Sequence, residues 1–131
     1  MSVLAQALPA NAAHAAVSTA LNIMDKWSCS EKEKMALLGI GRSTLHKYQA
    51  APTSARLTPD LIERISYLLN IHAVLRILFE NPENVYNFVR MPNKNPFFNG
   101  RAPIEILASG LVSALYEVHR HLDGIRDGQF A

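Results

Sequence analysis

Cysteine is almost missing from this sequence: Cys29 stands alone among 131 residues. No disulfide can close within the chain, which excludes the cross-linked secreted scaffolds and fits a cytoplasmic protein. Long apolar runs are missing too. Nothing approaches the roughly 18 residues needed to span a bilayer, so no membrane association is expected. Met1 to Ala16 is alanine-rich but lacks a basic flank followed by an apolar block, and is a poor signal peptide. Acidic residues are absent between Glu33 and Asp60, a window that holds Lys34, Arg42, His46, Lys47 and Arg56. The formal net charge of +2 therefore hides an asymmetry. Residues 1–56 carry six basic side chains against three acidic ones, whereas residues 81–131 carry five of each. The positive field belongs to the N-terminal half, as expected of a surface that meets a polyanion.

Nearly half of the residues are hydrophobic, enough for a buried core in one domain, or two small ones sharing it. The apolar residues repeat with helical period, and no strand, internal repeat or low-complexity segment emerges. Residues 1–10 read as a frayed leader ending at Pro9. A first helix is expected after Asn11, with Ala13, Val17, Ala20, Met24 and Trp27 on one face. Ser30-Glu31-Lys32-Glu33 has the form of a capping box and predicts a second helix from Glu31. Gly39-Ile40-Gly41 stops that helix, and a third short one follows over Ser43–Ala50.

Two short helices about a glycine-containing turn form the helix-turn-helix unit. Leu45, six residues after Gly39, takes the inward apolar position, while Met35 stands where a smaller residue is usual. In this unit the second helix enters the major groove. Its candidate DNA contacts are Ser43, Thr44 and Lys47, with His46 and Gln49 at the margins and Arg42 aimed at phosphate. Hydroxyls serve bases or phosphates, and glutamine can read adenine. The rival reading is a helical hairpin with a merely solvated face.

Thr58-Pro59-Asp60 starts a long helix by cap, proline and dipole together. Leu61, Ile62, Ile65, Leu68, Leu69, Ile71, Val74, Leu75, Leu78 and Phe79 are too many apolar side chains for a wet-faced helix. It is expected at the centre of the fold, with a bend possible at Asn70. Asn81-Pro82-Glu83 starts the next helix, which ends at Met91-Pro92. Asn93 to Gly110 is then dense in backbone punctuation. Asn95-Pro96 demands extended or turn geometry, Asn99-Gly100 favours positive φ, and Pro103 to Ser109-Gly110 brackets a short helix. The adjacent Phe97 and Phe98 must face different directions, one into the core and one outward. Either this is a structural loop or it receives a partner. Leu111, Leu115, Val118 and Leu122 form a narrow seam on a last helix, and Asp123 to Ala131 reads as a polar tail.

No catalytic set stands out. His119 and His121, two apart, cannot share a metal on a helix, and Gly39-Ile40-Gly41 follows no strand and is no phosphate loop. No enzyme activity, metal or cofactor is expected.

The chain resembles the Xre/MbcA/ParS antitoxins that are encoded beside RES-domain toxins. The resemblance runs from about residue 35 to the end. It rests on Leu45, Leu57-Thr58 to Leu69, Ile77-Leu78-Phe79, Met91-Pro92-Asn93, Pro96-Phe97-Phe98-Asn99-Gly100-Arg101-Ala102-Pro103-Ile104-Glu105-Ile106-Leu107 and Ser109-Gly110. It continues in Leu115-Tyr116, Val118, Leu122-Asp123 and Arg126-Asp127-Gly128. Phe88 stands where the family usually has tryptophan, and Asn99-Gly100 where two glycines are common. The resemblance implies an all-α protein in which an N-terminal helix-turn-helix region (1–56) is joined by a central connecting helix (57–80) to a C-terminal toxin-binding and dimerisation domain (81–131). It implies a type II antitoxin that neutralises an NAD-consuming or ADP-ribosylating RES toxin and represses its own operon by binding operator DNA. It also implies a homodimer within a larger toxin–antitoxin complex. Carried over by position, Phe97, Phe98, Asn99, Gly100 and Arg101 form a toxin-binding loop. Arg126, Gly128, Gln129, Phe130 and Ala131 form an inhibitory tail that, on the residues alone, could equally be a frayed end. The alternatives are a stand-alone helix-turn-helix repressor and an interaction module with a vestigial helix-turn-helix.

Overall fold

Alanine, valine and methionine at spacings of four and three leave one side of a helix smooth enough to lie flat on a neighbour. In the computed structural model, which describes residues 10–128, Ala13, Val17, Ala20, Met24 and Trp27 are all buried. The leader read over residues 1–10 lies outside the described residues except for its last position. That position begins α1 (Ala10–Lys26), and Trp27 follows it directly. The described residues form seven α-helices, two 3-10 turns and no strand. The protein is all-α.

The capping box forms as its sequence dictates. The Glu33 N–H donates to Ser30 Oγ at 3.1 Å and the Ser30 N–H to Glu33 Oε1 at 2.8 Å, opening α2 (Glu31–Leu38). Gly39 ends it at φ 66°, its N–H returning to the Met35 carbonyl. Next comes α3 (Arg42–Ala50), then a 3-10 turn over Pro52–Ser54. Leu37, Leu38 and Leu45 are fully buried where the two helices meet.

The long helix α4 (Pro59–Leu78) starts where Thr58 accepts the Leu61 N–H at 3.1 Å, and it continues through Asn70 without interruption. It packs between α1 and the last helix. All ten of its counted apolar residues are buried or half-buried. At about 1.5–3 kcal/mol for each large side chain fully buried, α4 contributes more to the core's cohesion than any other helix. After it come α5 (Pro82–Asn87), a 3-10 turn (Phe88–Arg90), α6 (Pro103–Leu107) and α7 (Val112–Arg126).

Two sequence expectations need correction at this end. Leu111 does not join the seam: it is the extended N-cap of α7 and 62% exposed, while Leu115, Val118 and Leu122 are buried. Nor does a tail begin at Asp123. The helix passes through buried Gly124 and ends at Arg126, because Leu122 and half-buried Ile125 keep the apolar face going.

Two arginines join the halves. Arg64 on α4, only 9% exposed, spreads its guanidinium over three acceptors: Asp60 Oδ2 at 3.0 Å, the Ala36 carbonyl at 3.2 Å and the Gly110 carbonyl at 3.0 Å. A positive group at the carbonyl end of α2 also suits that helix's dipole. Arg90 closes the other side. It donates to the Trp27 carbonyl at 2.8 Å and the Ser28 carbonyl at 2.9 Å, and grips both oxygens of Glu33. That contact supplies acceptor carbonyls past the end of α1 with a charged donor.

Gly39 sits against the Arg64 guanidinium so closely that an added Cβ would lie 2.8 Å from Cζ and Nε. Gly39→Ala adds that clash to a left-handed backbone strain of about 1–3 kcal/mol. Arg64→Ala, which strips charged hydrogen bonds from two carbonyls, should destabilise by about 2–4 kcal/mol. Both losses are read from urea unfolding. Arg90 holds Glu33 below the usual carboxylate range. A depressed folded-state value means that the clamp's contribution is complete above the unfolded value of about 4.3 and fades as pH falls through the folded value. Glu33→Gln should therefore lose stability at pH 6 and converge on the parent protein only as pH falls through the lowered folded-state value, in thermal melts across that range.

Candidate nucleic-acid interface and partner-binding module

Leu45 and Tyr48 turn one side of α3 inward. The helix's opposite side is therefore fixed, and it is the side that carries the expected contacts. Arg42, Ser43, His46, Lys47 and Gln49 are exposed, and Thr44 is half-buried. By helical geometry Ser43, His46 and Lys47 lie centrally, Arg42 and Gln49 on one flank, and Thr44 on the other. Gln49 also borders a shallow cleft of about 300 Å³ with Ser18, Asn22, Asp25 and Lys34. The end of the helix is anchored by Tyr48, whose hydroxyl accepts the Arg56 N–H at 3.0 Å. Across the fold, His14 Nε2 reaches the Ala55 carbonyl at 3.1 Å, fixing the same segment to α1. Arg56, exposed beside this anchor, extends the basic face.

One residue of this face escaped the sequence reading. Glu31, noticed only as the first residue of a capped helix, places its carboxylate between two of the expected DNA contacts. Oε1 lies 2.6 Å from Arg42 Nε and Oε2 lies 2.6 Å from His46 Nε2. The bond from His46, followed by the charge of Arg42, holds the Glu31 carboxyl below its ordinary range. Separations of 11 and 15 residues hide this arrangement from any helical periodicity; only the turn at Gly39 brings the groups together.

The second surface is the Asn93–Ala102 loop. Its base is tied twice: the Asn93 N–H donates to the Arg101 carbonyl at 3.1 Å, and the Gly100 N–H donates to the Asn93 carbonyl at 2.7 Å. Inside, Asn93 Oδ1 accepts the Asn95 N–H at 2.8 Å and Asn95 Oδ1 accepts the Phe97 N–H at 3.2 Å, consecutive side-chain turns of the kind asparagine makes. Asn99 and Gly100 take φ of 52° and 84°, the backbone their dipeptide demanded. Phe98 is fully buried. Phe97 neither enters the core nor stands free: it is half-buried and stacks on His121 at 3.8 Å between ring centroids. Burial and the nearby Arg120 lower the pKa of His121, favouring a neutral ring for that stack. Arg101, expected to meet a partner, is exposed and also braces its own loop. It donates to the Phe98 carbonyl at 2.9 Å and the Phe97 carbonyl at 2.9 Å.

Of the expected tail, Arg126 is the last helical residue, paired with Asp123 at 2.9 Å and Asp127 at 3.5 Å. Gly128 follows at φ 81°. Gln129, Phe130 and Ala131 lie outside the described residues. The loop and the start of this terminus both meet α7, Phe97 through His121 and Arg126 at its end. No group of metal-ligating side chains occurs among the described residues, and none of their helices is long and apolar enough to cross a membrane.

A helix-turn-helix fused through one long helix to a second helical module defines a two-part, all-α binding protein. Residues 6–70 match the antitoxin Xre-like helix-turn-helix domain, and residues 74–128 match the antitoxin Xre/MbcA/ParS C-terminal toxin-binding domain. The uncharacterized protein y4oB of Sinorhizobium fredii (strain NBRC 101917 / NGR234) is 37% identical over 107 residues, 81% of this chain and 80% of that protein. The chain belongs to the Xre/MbcA/ParS antitoxin family.

The loop geometry gives a local test. Arg101→Ala should speed amide exchange at Phe98, Asn99 and Gly100, measured by NMR, with a global cost on the order of 0.5–1.5 kcal/mol. Phe98→Ala, which empties a core position, should cost about 3–5 kcal/mol.

Proposed function

We propose that this antitoxin neutralises a RES-domain toxin, an NAD-consuming or ADP-ribosylating enzyme, and represses its own operon by binding operator DNA through α3. The observation that carries this reading is the pairing of an outward basic recognition helix with a toxin-binding domain in one rigidly clamped fold. The chain performs no reaction itself and acts in the cytoplasm. Arg42 and Lys47 meet phosphates, Ser43 and Thr44 meet bases or phosphates, and His46 and Gln49 border the contact. Phe97, Phe98, Asn99, Gly100 and Arg101 shape a rigid loop against the toxin. The segment beyond Arg126 reaches into the toxin's active-site entrance.

A second copy of the chain packs on the C-terminal domain. Its exposed apolar side chains support this, among them Leu111 and Tyr116, the latter edge-on to Tyr67 at 6.1 Å between ring centroids.

Replacing Arg42 and Lys47 together with Ala should weaken binding to the DNA upstream of the gene by roughly tenfold or more and lower the salt slope by about two. Fluorescence anisotropy at several salt concentrations reads both, and unchanged affinity would remove α3 from the interface. Deleting Asp127 to Ala131 should release toxin activity, measured as NAD depletion on co-expression with a neighbouring RES-domain gene, while circular dichroism stays helical. Full protection by the truncated chain would place inhibition elsewhere.

A further inference from the structure

Glu31 sets a carboxylate on the face that carries the expected DNA contacts, and it is fully engaged with two of them. Both of its oxygens are occupied, one by Arg42 and one by His46, at 2.6 Å each. The carboxylate is presented from the first residue of α2, whose start is fixed by the Ser30–Glu33 capping box, and its two partners orient it. Arg42 and His46 are both well exposed, with 73% and 53% of their side-chain surface open. A phosphate approaching this end of α3 therefore meets two donors already answered by an internal anion.

We propose that Glu31 is a built-in competitor for the DNA backbone, a residue that sets how strongly α3 binds. This rests on the reading of α3 as the recognition helix. A phosphate oxygen can take Arg42 only by displacing the Glu31 carboxylate, which is then left as a negative charge near the polyanion. That exchange subtracts from the sequence-independent part of the affinity, which comes from phosphate contacts. Contacts to base edges are left as they are. The consequence is a lower affinity for any duplex, operator or not, and a shallower salt dependence than the exposed cations alone would give. Lys47, which forms no ion pair among the described residues, keeps its charge free for phosphate.

The test compares the full-length protein with Glu31→Gln, which keeps the shape and removes the charge. Binding is measured by anisotropy on the duplex upstream of the gene and on an unrelated duplex of equal length, at several salt concentrations. Expected are a roughly threefold to tenfold tightening on both duplexes and a salt slope steeper by about one. In an Arg42→Ala background the same change should have less than about half that effect, since the pair it breaks is mostly gone. Circular dichroism melts check that both variants fold.

Weaker or unchanged binding by Glu31→Gln would overturn the proposal, because Glu31 would then be positioning Arg42 rather than competing for it. A gain undiminished in the Arg42→Ala background would overturn it too. If neither the parent protein nor Glu31→Gln binds either duplex, the DNA reading falls and the competitor with it. Binding by both with equal affinity sinks the competitor alone.

Discussion

A buried guanidinium ties the two parts of this molecule to each other. Arg64 leaves α4 and is shared between the end of α2 and the loop before α7, so one side chain answers carbonyls from both parts of the chain. Removing a charge from water is costly, and the arrangement is stable because each nitrogen of the guanidinium finds an acceptor. Its position also explains the residue type at the turn of the helix-turn-helix. Gly39 is needed for its left-handed backbone and again because the guanidinium occupies the space of a Cβ. The angle between α2 and α3 and the attachment of the C-terminal domain are thus fixed at the same point.

Arg90 repeats the device on the opposite side, binding the carbonyls that follow α1 and the carboxylate of the α2 capping box. Between the two clamps, α4 is buried against α1 on one side and α7 on the other. Such a connection has no free hinge. Cys29 lies inside this junction, and burial together with the negative charge of Glu33 pushes its thiol up to about 11, which leaves it an inert filler.

The candidate surfaces differ in how they are made. The α3 face is a product of helical period alone: once Leu45 and Tyr48 are buried, the polar residues between them must face outward. The Asn93–Ala102 loop is instead a product of local backbone chemistry, two asparagine side-chain turns and a left-handed Asn-Gly pair that aim Phe98 inward. Its rigidity comes from Arg101, which spends its donors on the loop's own carbonyls. The loop is therefore a preformed shape, and a rigid surface loses little entropy when a partner docks on it.

Local chemistry was written into the sequence. Caps, prolines, the Asn99-Gly100 turn and the buried stripe of α1 each depend on neighbours within a few residues, and each formed where its residues demanded. What only the tertiary structure decided lies across longer separations. Leu111 was counted into a seam but falls before the first turn of α7, and Asp123 to Arg126 looked polar enough for a tail but continues the helix over an apolar face. Arg64, Arg90 and Glu31 carry no mark of their partners in the sequence. Ion pairs and charged hydrogen bonds have no period, so their partners became visible only when the turns at Gly39 and Gly110 and the core around α4 brought distant residues within reach.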